Sequence, residues 1–449
     1  MPGYWPHTEA EIAAMLEFLG LRHIDELFAS VPEALRLSGA LAMAPGRPEP
    51  DVLAHMRSMA AANRTLVCFA GGGAYDHEVP PVTAALAGRS EFVTSYTPYQ
   101  AEVSQGVLQA VFEFQTLVTR LTGMDVANAS LYHGAAALSE AVNLAVGTTG
   151  RSTVWVSQGV NPAWRAVLAT LASGPHHCLV EIPLVGGQTH WESRGDAGRA
   201  AHGDAPGAVV VAYPNYLGCL EDLAEARRLC DRTGALLVVA VDPIAAGILR
   251  SAGSWGADVV VGEGQPFGLP LSFGGPYLGL FSCRGEHVRR LPGRLVGETV
   301  DSDGRRAYVT TLRTREQDIR REKATSNVCT NQTLMAITAA IQLGWLGSNG
   351  LAEVATRCAQ GTRYCRERLL ALEHVAPLVP APVVREFAVH LPIDAALAVD
   401  RLAEEGLLGG IALGPPYAED GRGLLVAVTE RRTRAEIDRF ATAVEKVVR

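Results

Sequence analysis

Lysine is nearly missing from this sequence: Lys323 and Lys446 are its two lysines among 39 basic residues in a chain of 449. Any chemistry that needs an amine side chain has only those two positions to draw on, and Lys446 stands almost at the end of the chain. Cys-x-x-Cys pairs are absent as well. The eight cysteines fall at irregular spacings, which excludes a zinc ribbon or a redox dithiol and reads as reduced thiols, with no metal site expected. No uninterrupted apolar run reaches the roughly 18 residues of a membrane span, and Met1–Gly20 lacks a basic leader before an apolar stretch. No membrane association and a cytoplasmic location are the expectations. The net charge of −8 is spread without an acidic tail. Short arginine runs, Arg289, Arg290 and Arg294 or Arg431, Arg432 and Arg434, read as solvated helix and loop faces, so nucleic acid is not expected as a partner.

What is present is a large apolar fraction, 48%, against 19% charged residues, enough to bury a sizeable core. Thr8 followed by Glu11 is a capping-box pattern, and Ile12, Met15, Leu16 and Leu19 form one apolar stripe behind it. An N-terminal helical arm over residues 1–63 fits this pattern. Helical spacing recurs over Gln105–Thr122 and in the small-residue stretch Gly134–Val146. Thereafter β-branched runs, Thr153–Ser157, Cys178–Ile182, Ala208–Tyr213, Leu236–Val241 and Asp258–Val261, alternate with helical stretches. That rhythm predicts βαβ units and a mostly parallel sheet in an α/β domain over residues 64–349. Helices over Gln332–Leu346 and Leu351–Leu372, strands at Glu386–Leu391 and Leu424–Thr429, and a final helix opened by Thr433 predict a small α+β domain over residues 350–449.

The strand end Val239–Asp242, with the following Asp258–Pro266, resembles the large domain of fold-type-I, aspartate-aminotransferase-like pyridoxal-phosphate enzymes. That resemblance implies an aspartate that keeps the pyridine nitrogen protonated and a Schiff-base lysine some two dozen residues on. Asp242 suits the first role. The lysine position holds Gln265 and Pro266, neither of which can form an imine, which leaves Asp242 vestigial and only Lys323 as an interior alternative. Gly262, Gly264 and Gly268 imitate a dinucleotide fingerprint, but the third glycine comes one residue late and the strand-one context is missing.

Four longer motifs, Thr94–Gly106, Gly262–Gly268, Gly274–Gly279 and Lys323–Gln332, continued by Glu386–Pro392, resemble those of the glycine decarboxylase P-protein family of the glycine cleavage system. The resemblance implies the alpha subunit of a two-subunit enzyme, the half that lacks the cofactor lysine. It further implies that a beta subunit binds the pyridoxal phosphate, with none held covalently on this chain, in an α2β2 assembly. Together they would decarboxylate glycine and pass the aminomethyl group to the lipoyl arm of the H-protein. For the wall of that site the expected residues are Tyr96, Thr97, Tyr99, Gln100 and Glu102, a polar loop around Pro98. Ser326, Asn327, Thr330 and Asn331 form a second polar run before a helix, able to cap it or to offer its N-terminus to an anion. Packing for the first loop and simple capping for the second are the alternatives. Tyr132–Ala136 stands where this fold forms its phosphate-binding turn, so Ser130 and Gly134 mark a possible vestigial anion site; His133 departs there from the family's acidic residue. Two other functions stay open: a non-catalytic support for the beta subunit, and a free-standing enzyme using Lys323.

Overall fold

The computed structural model describes residues 6–37, 39, 41–193 and 205–449. Residues 1–5, 38 and 40 of the expected arm lie outside these. The chain divides into two units, residues 1–64 and 65–449. Helices α1 (Glu9–Phe18) and α2 (Glu49–Ala61) belong to the first. α1 opens on the capping box: the Thr8 backbone N–H donates to Glu11 Oε2 at 2.7 Å, and Thr8 Oγ1 accepts from the Glu11 N–H at 3.3 Å.

The second unit is built on a seven-stranded sheet. Its strands are β1 (Val126–Ala127), β2 (Thr153–Ser157), β3 (Cys178–Ile182), β4 (Ala208–Tyr213), β5 (Leu236–Val241), β6 (Val259–Glu263) and β7 (Gly279–Cys283), in the spatial order β1-β7-β6-β5-β4-β2-β3. The five strands from β3 to β6 run parallel, and β7 runs antiparallel between β6 and β1. Every residue of β2 and β6 is buried, as a parallel sheet covered on both faces requires. Helix α3 (Gln105–Thr122) ends on Gly123 in the left-handed conformation, φ 71°. Helix α4 (Gly134–Thr149) packs closely against the sheet because Ala137, Ala141 and Ala145 present only methyl groups to it. Helices α5 (Pro162–Ser173) and α6 (Leu223–Thr233) follow β2 and β4. Beyond β7 comes a hairpin, β8 (Leu295–Val300) with β9 (Arg306–Thr311).

A second core lies under a four-stranded sheet, β10 (Ala376–Pro377), β11 (Glu386–His390), β12 (Ile411–Leu413) and β13 (Gly423–Ala427), in the order β10-β11-β13-β12. Helices α8 (Ala395–Glu404) and α9 (Arg434–Val448) complete it. The two helices expected on either side of residue 350 are both present, joined end to end as α7 (Thr333–Leu370) across a kink at Gly347, with φ 60° and ψ −176°. The non-helical angles fall on a glycine, which adopts a positive φ without steric cost. The first half of α7 packs into the large core through Ala336, Ala339 and Leu343, and its last turns enter the small core through Cys365 and Leu369. Among the described residues no helix is long and apolar enough to cross a membrane.

Candidate functional site

In an open parallel sheet the crevice beyond the carboxyl ends of the strands is where ligands bind. Here β5 ends at Val241, and Asp242 follows. Asp242 Oδ1 accepts the Ile244 N–H at 2.9 Å, while Oδ2 lies 2.6 Å from Arg385 Nη2. Arg385, immediately before β11, is 2% exposed. Burial alone would lower its guanidinium, but the Asp242 charge outweighs this and holds it above its ordinary value. Its second terminal nitrogen is 2.6 Å from His77 Nε2, and His77 Nδ1 is 2.6 Å from Glu430 Oε2. A guanidinium only donates, so His77 Nε2 accepts and the ring proton sits on Nδ1, donating to Glu430. Burial works to raise Glu430, yet hydrogen bonds from His77 and nearby backbone N–H groups hold it at about 2. Cys358 completes a His–Cys–Glu group whose ligand atoms lie within 4.8 Å of one another. With Nδ1 protonated, His77 has no lone pair there for an ion, and burial pushes the Cys358 thiol up.

The remaining polar groups of this crevice are tied to each other. Gln265, 1% exposed, exchanges two hydrogen bonds with the Tyr75 backbone, both at 3.0 Å, and donates a third to the Leu269 carbonyl at 2.7 Å. Tyr75 donates its hydroxyl to Glu386 Oε2 at 2.8 Å, and the Gly72 N–H reaches Glu386 Oε1 at 2.7 Å. Burial raises the Glu386 carboxyl against the pull of Arg385. Glu263, the last residue of β6, accepts N–H groups of Gly134, Gln265 and Leu278 at 2.8, 2.9 and 2.8 Å. Its carboxyl is nonetheless pushed up to about 7 by burial. Gly134 is the first residue of α4, so this carboxylate sits where the helix N-terminus would meet an anion. A side chain on Gly134 would overlap the Trp164 ring. His133 caps the same helix, its Nδ1 accepting the Ala136 N–H at 3.1 Å. What remains open is a cavity of about 80 Å³ whose lining includes Trp164, Asp242, Glu263, Pro266, Arg385 and Glu386. Lys323, exposed in the turn Arg321–Lys323, is not part of that lining.

The two polar segments singled out in the sequence lie apart from this crevice lining. In the first, Tyr96 is 82% exposed, and Tyr99, Gln100 and Glu102 are also exposed, while Pro98 is buried and Thr97 half-buried. In the second, Asn331 donates to the Ala129 carbonyl at 3.0 Å and to Ser130 Oγ at 3.1 Å, and Ser130 Oγ also accepts the Gln332 N–H at 3.2 Å. The Tyr132 hydroxyl accepts the N–H groups of Cys329 and Thr330 at 3.3 and 3.5 Å. Ser326 Oγ accepts the Val328 N–H at 3.1 Å, Thr330 is half-buried, and Asn327 is exposed. The structure brings Tyr99 and Asn331 together through Arg294, whose terminal nitrogens reach Asn331 Oδ1 at 2.9 Å, the Cys329 carbonyl at 3.0 Å and the Tyr99 hydroxyl at 3.4 Å.

Two of the arginines read as solvated are corrected by this geometry. Arg294 is 6% exposed and serves three acceptors, Asn331, Cys329 and Tyr99; the Arg432 side chain, 5% exposed, lies against Asp76 in a 3.0 Å ion pair. Both sit in short arginine runs that resemble ordinary solvated faces, and the acceptors that draw them inward come from distant parts of the chain. Tyr75, His77, Arg385 and Glu430 belong to this site without any local sequence signal that marks them. Glu263 was visible only as a member of the Gly262–Gly268 motif.

The profile of the family described as "Glycine cleavage system P-protein" matches residues 2–444. The chain is 46% identical over 445 residues to the probable glycine dehydrogenase (decarboxylating) subunit 1 of Moorella thermoacetica, covering 99% of each chain. It is 47% identical over 441 residues to the subunit 1 of the same name from Chlorobium luteolum, covering 97% of this chain and 98% of that one. A crystal structure of glycine decarboxylase (P-protein) of the glycine cleavage system, in inhibitor-bound form, superposes with a TM-score of 0.90 at 44% identity over 99% of this chain and 100% of that one. Alanine–glyoxylate aminotransferase from Nostoc sp. shares the fold, with a TM-score of 0.60 at 17% identity over 93% of this chain and 100% of that one.

Proposed function

The chain belongs to the glycine cleavage system P-protein family, and from that premise we propose that it is the alpha subunit of a two-subunit glycine decarboxylase, the one without a Schiff-base lysine. With a beta subunit it decarboxylates glycine and delivers the aminomethyl group to the lipoyl arm of the H-protein. The beta subunit holds the pyridoxal phosphate, and the two kinds of chain assemble as α2β2 in the cytoplasm.

The observation that carries this reading is the commitment of three crevice groups to partners inside the chain. Gln265 stands at the lysine position and is bound to Tyr75; Asp242 is paired with Arg385; the first N–H of α4 is taken by Glu263. These residues do not fit a covalently held pyridoxal phosphate, and no chemical step is assigned to the cofactor on this chain. Its own contribution is a wall. Tyr96, Thr97, Tyr99, Gln100 and Glu102, with Ser326, Asn327, Thr330 and Asn331, present hydroxyl, amide and carboxylate groups on a frame fixed by the Ser130, Tyr132 and Arg294 hydrogen bonds. Closed over the partner's site, such a wall excludes water and sets donors in place before the reaction begins.

The test is a visible absorbance scan with pyridoxal phosphate, on this chain alone and with the beta subunit, coupled to release of labelled carbon dioxide from glycine. The reading expects no cofactor band and no turnover from this chain alone, and both from the mixture beyond what the beta subunit gives. A band and turnover from this chain alone would overturn it and make Lys323 the residue to change.

A further inference from the structure

Arg294 combines features that a merely structural arginine does not need. It is almost fully buried, yet among the described residues it has no ion pair, and its Nε has no hydrogen-bond partner. Its acceptors, an amide oxygen, a backbone carbonyl and a phenol oxygen, are all neutral. Keeping a guanidinium out of water without a counter-charge is costly, so the side chain is retained for what its fork does. The backbone around it is held firmly. Ala129 N–H donates to the Arg294 carbonyl at 2.8 Å, and Arg315 donates to the carbonyls of Leu291 and Gly293. The Tyr99 ring centre lies 5.4 Å from the Arg294 guanidinium carbon and 5.0 Å from that of Arg313.

We propose that Arg294 is a positioning residue for glycine decarboxylation, acting through Tyr99 and Asn331. This inference rests on the reading of the two polar segments as a wall of the partner's site. A planar fork with several donors can hold Asn331, Cys329 and Tyr99 in one arrangement, which a single ammonium cannot. Because the Tyr99 oxygen accepts from Arg294, its own O–H proton is directed away from the guanidinium and toward whatever faces the loop. Arg294 thereby aligns one donor of the first segment with the amide of the second.

The test uses the complete two-subunit enzyme with its lipoyl acceptor and compares Arg294→Gln, Arg294→Lys, Tyr99→Phe, Asn331→Ala and the double variant R294Q/Y99F. Measured quantities are kcat and KM for glycine, subunit association and Tm. Arg294→Gln lowers kcat about tenfold with assembly intact, Arg294→Lys restores little of it, and Tyr99→Phe adds nothing further in the Arg294→Gln background. Should Arg294→Gln fail to fold, the kcat of Arg294→Lys decides in its place. Wild-type kcat in the Arg294 variants, with Tyr99→Phe and Asn331→Ala impaired, overturns this inference and leaves the wall reading standing. Wild-type kcat in all of them overturns both.

Discussion

The guanidinium carbon of Arg385 lies 3.4 Å from the centre of the Tyr75 ring, and Gln265 grips that same tyrosine by both backbone groups. A pyridine ring entering this crevice to use Asp242 would have to displace Arg385 from its carboxylate. The chain thus carries, in the crevice beyond the carboxyl ends of its parallel strands, a set of side chains that pair with one another.

Removing the carboxylate of that set strands a buried cation. Asp242→Ala leaves Arg385 with His77 and a ring face, and breaking a buried pair in this way costs about 3–5 kcal/mol. Urea denaturation of the variant beside the wild type measures the loss; a change below about 1 kcal/mol would show that the crevice is wetter than the hydrogen bonding indicates.

Restoring an amine does not restore a cofactor site. Gln265→Lys removes the acceptor for the Tyr75 N–H and buries a charge where 1% of the glutamine is exposed. It is expected to lose about 3 kcal/mol of stability and to show no visible absorbance with pyridoxal phosphate. A stable variant with a cofactor band contradicts this.

The pH dependence of stability follows from Glu263. Its folded carboxyl titrates at about 7 against an ordinary 4.5, so between those values the folded state binds more protons than the unfolded one. Stability therefore falls as pH rises through that window, by roughly 3 kcal/mol in all, and levels off above it. Glu263→Gln flattens this slope. Thermal melts at pH 5 and pH 8 on both proteins give the comparison, and a wild-type slope retained in the variant assigns the titration elsewhere.

Tyr96 tests the wall without touching the core. At 82% exposure, Tyr96→Ala changes stability by no more than about 0.5 kcal/mol. In the two-subunit enzyme it lowers carbon dioxide release about tenfold. Full activity would remove Tyr96 from the site and favour a purely supporting role for the loop.

How much of this was legible in the sequence differs by residue. The parallel strands were readable because burial on both faces demands continuous runs such as Leu236–Val241, and α3 because Gln105–Thr122 keeps one apolar stripe up to its glycine cap. Asp242 was readable from its place at a strand end, and Gln265 from what it fails to be. Arg385, Tyr75 and His77 were not, because each takes its meaning from partners far along the chain that no local spacing reveals. Arg294 reads as solvated for a related reason: a residue in a run of arginines looks exposed until its distant acceptors, Tyr99, Cys329 and Asn331, are known.

The pairing of Asp242 with Arg385 has a mechanical side. Asp242 directly follows a strand of the large sheet and Arg385 directly precedes one of the small sheet, while α7 contributes side chains to both cores. With a buried ion pair at one place and, at another, the helix after Gly347 placing Leu351, Ala355 and Cys358 in one core and Cys365 and Leu369 in the other, neither core can melt without exposing part of the other. Residues 65–449 accordingly denature as one cooperative block, giving a single heat-absorption peak.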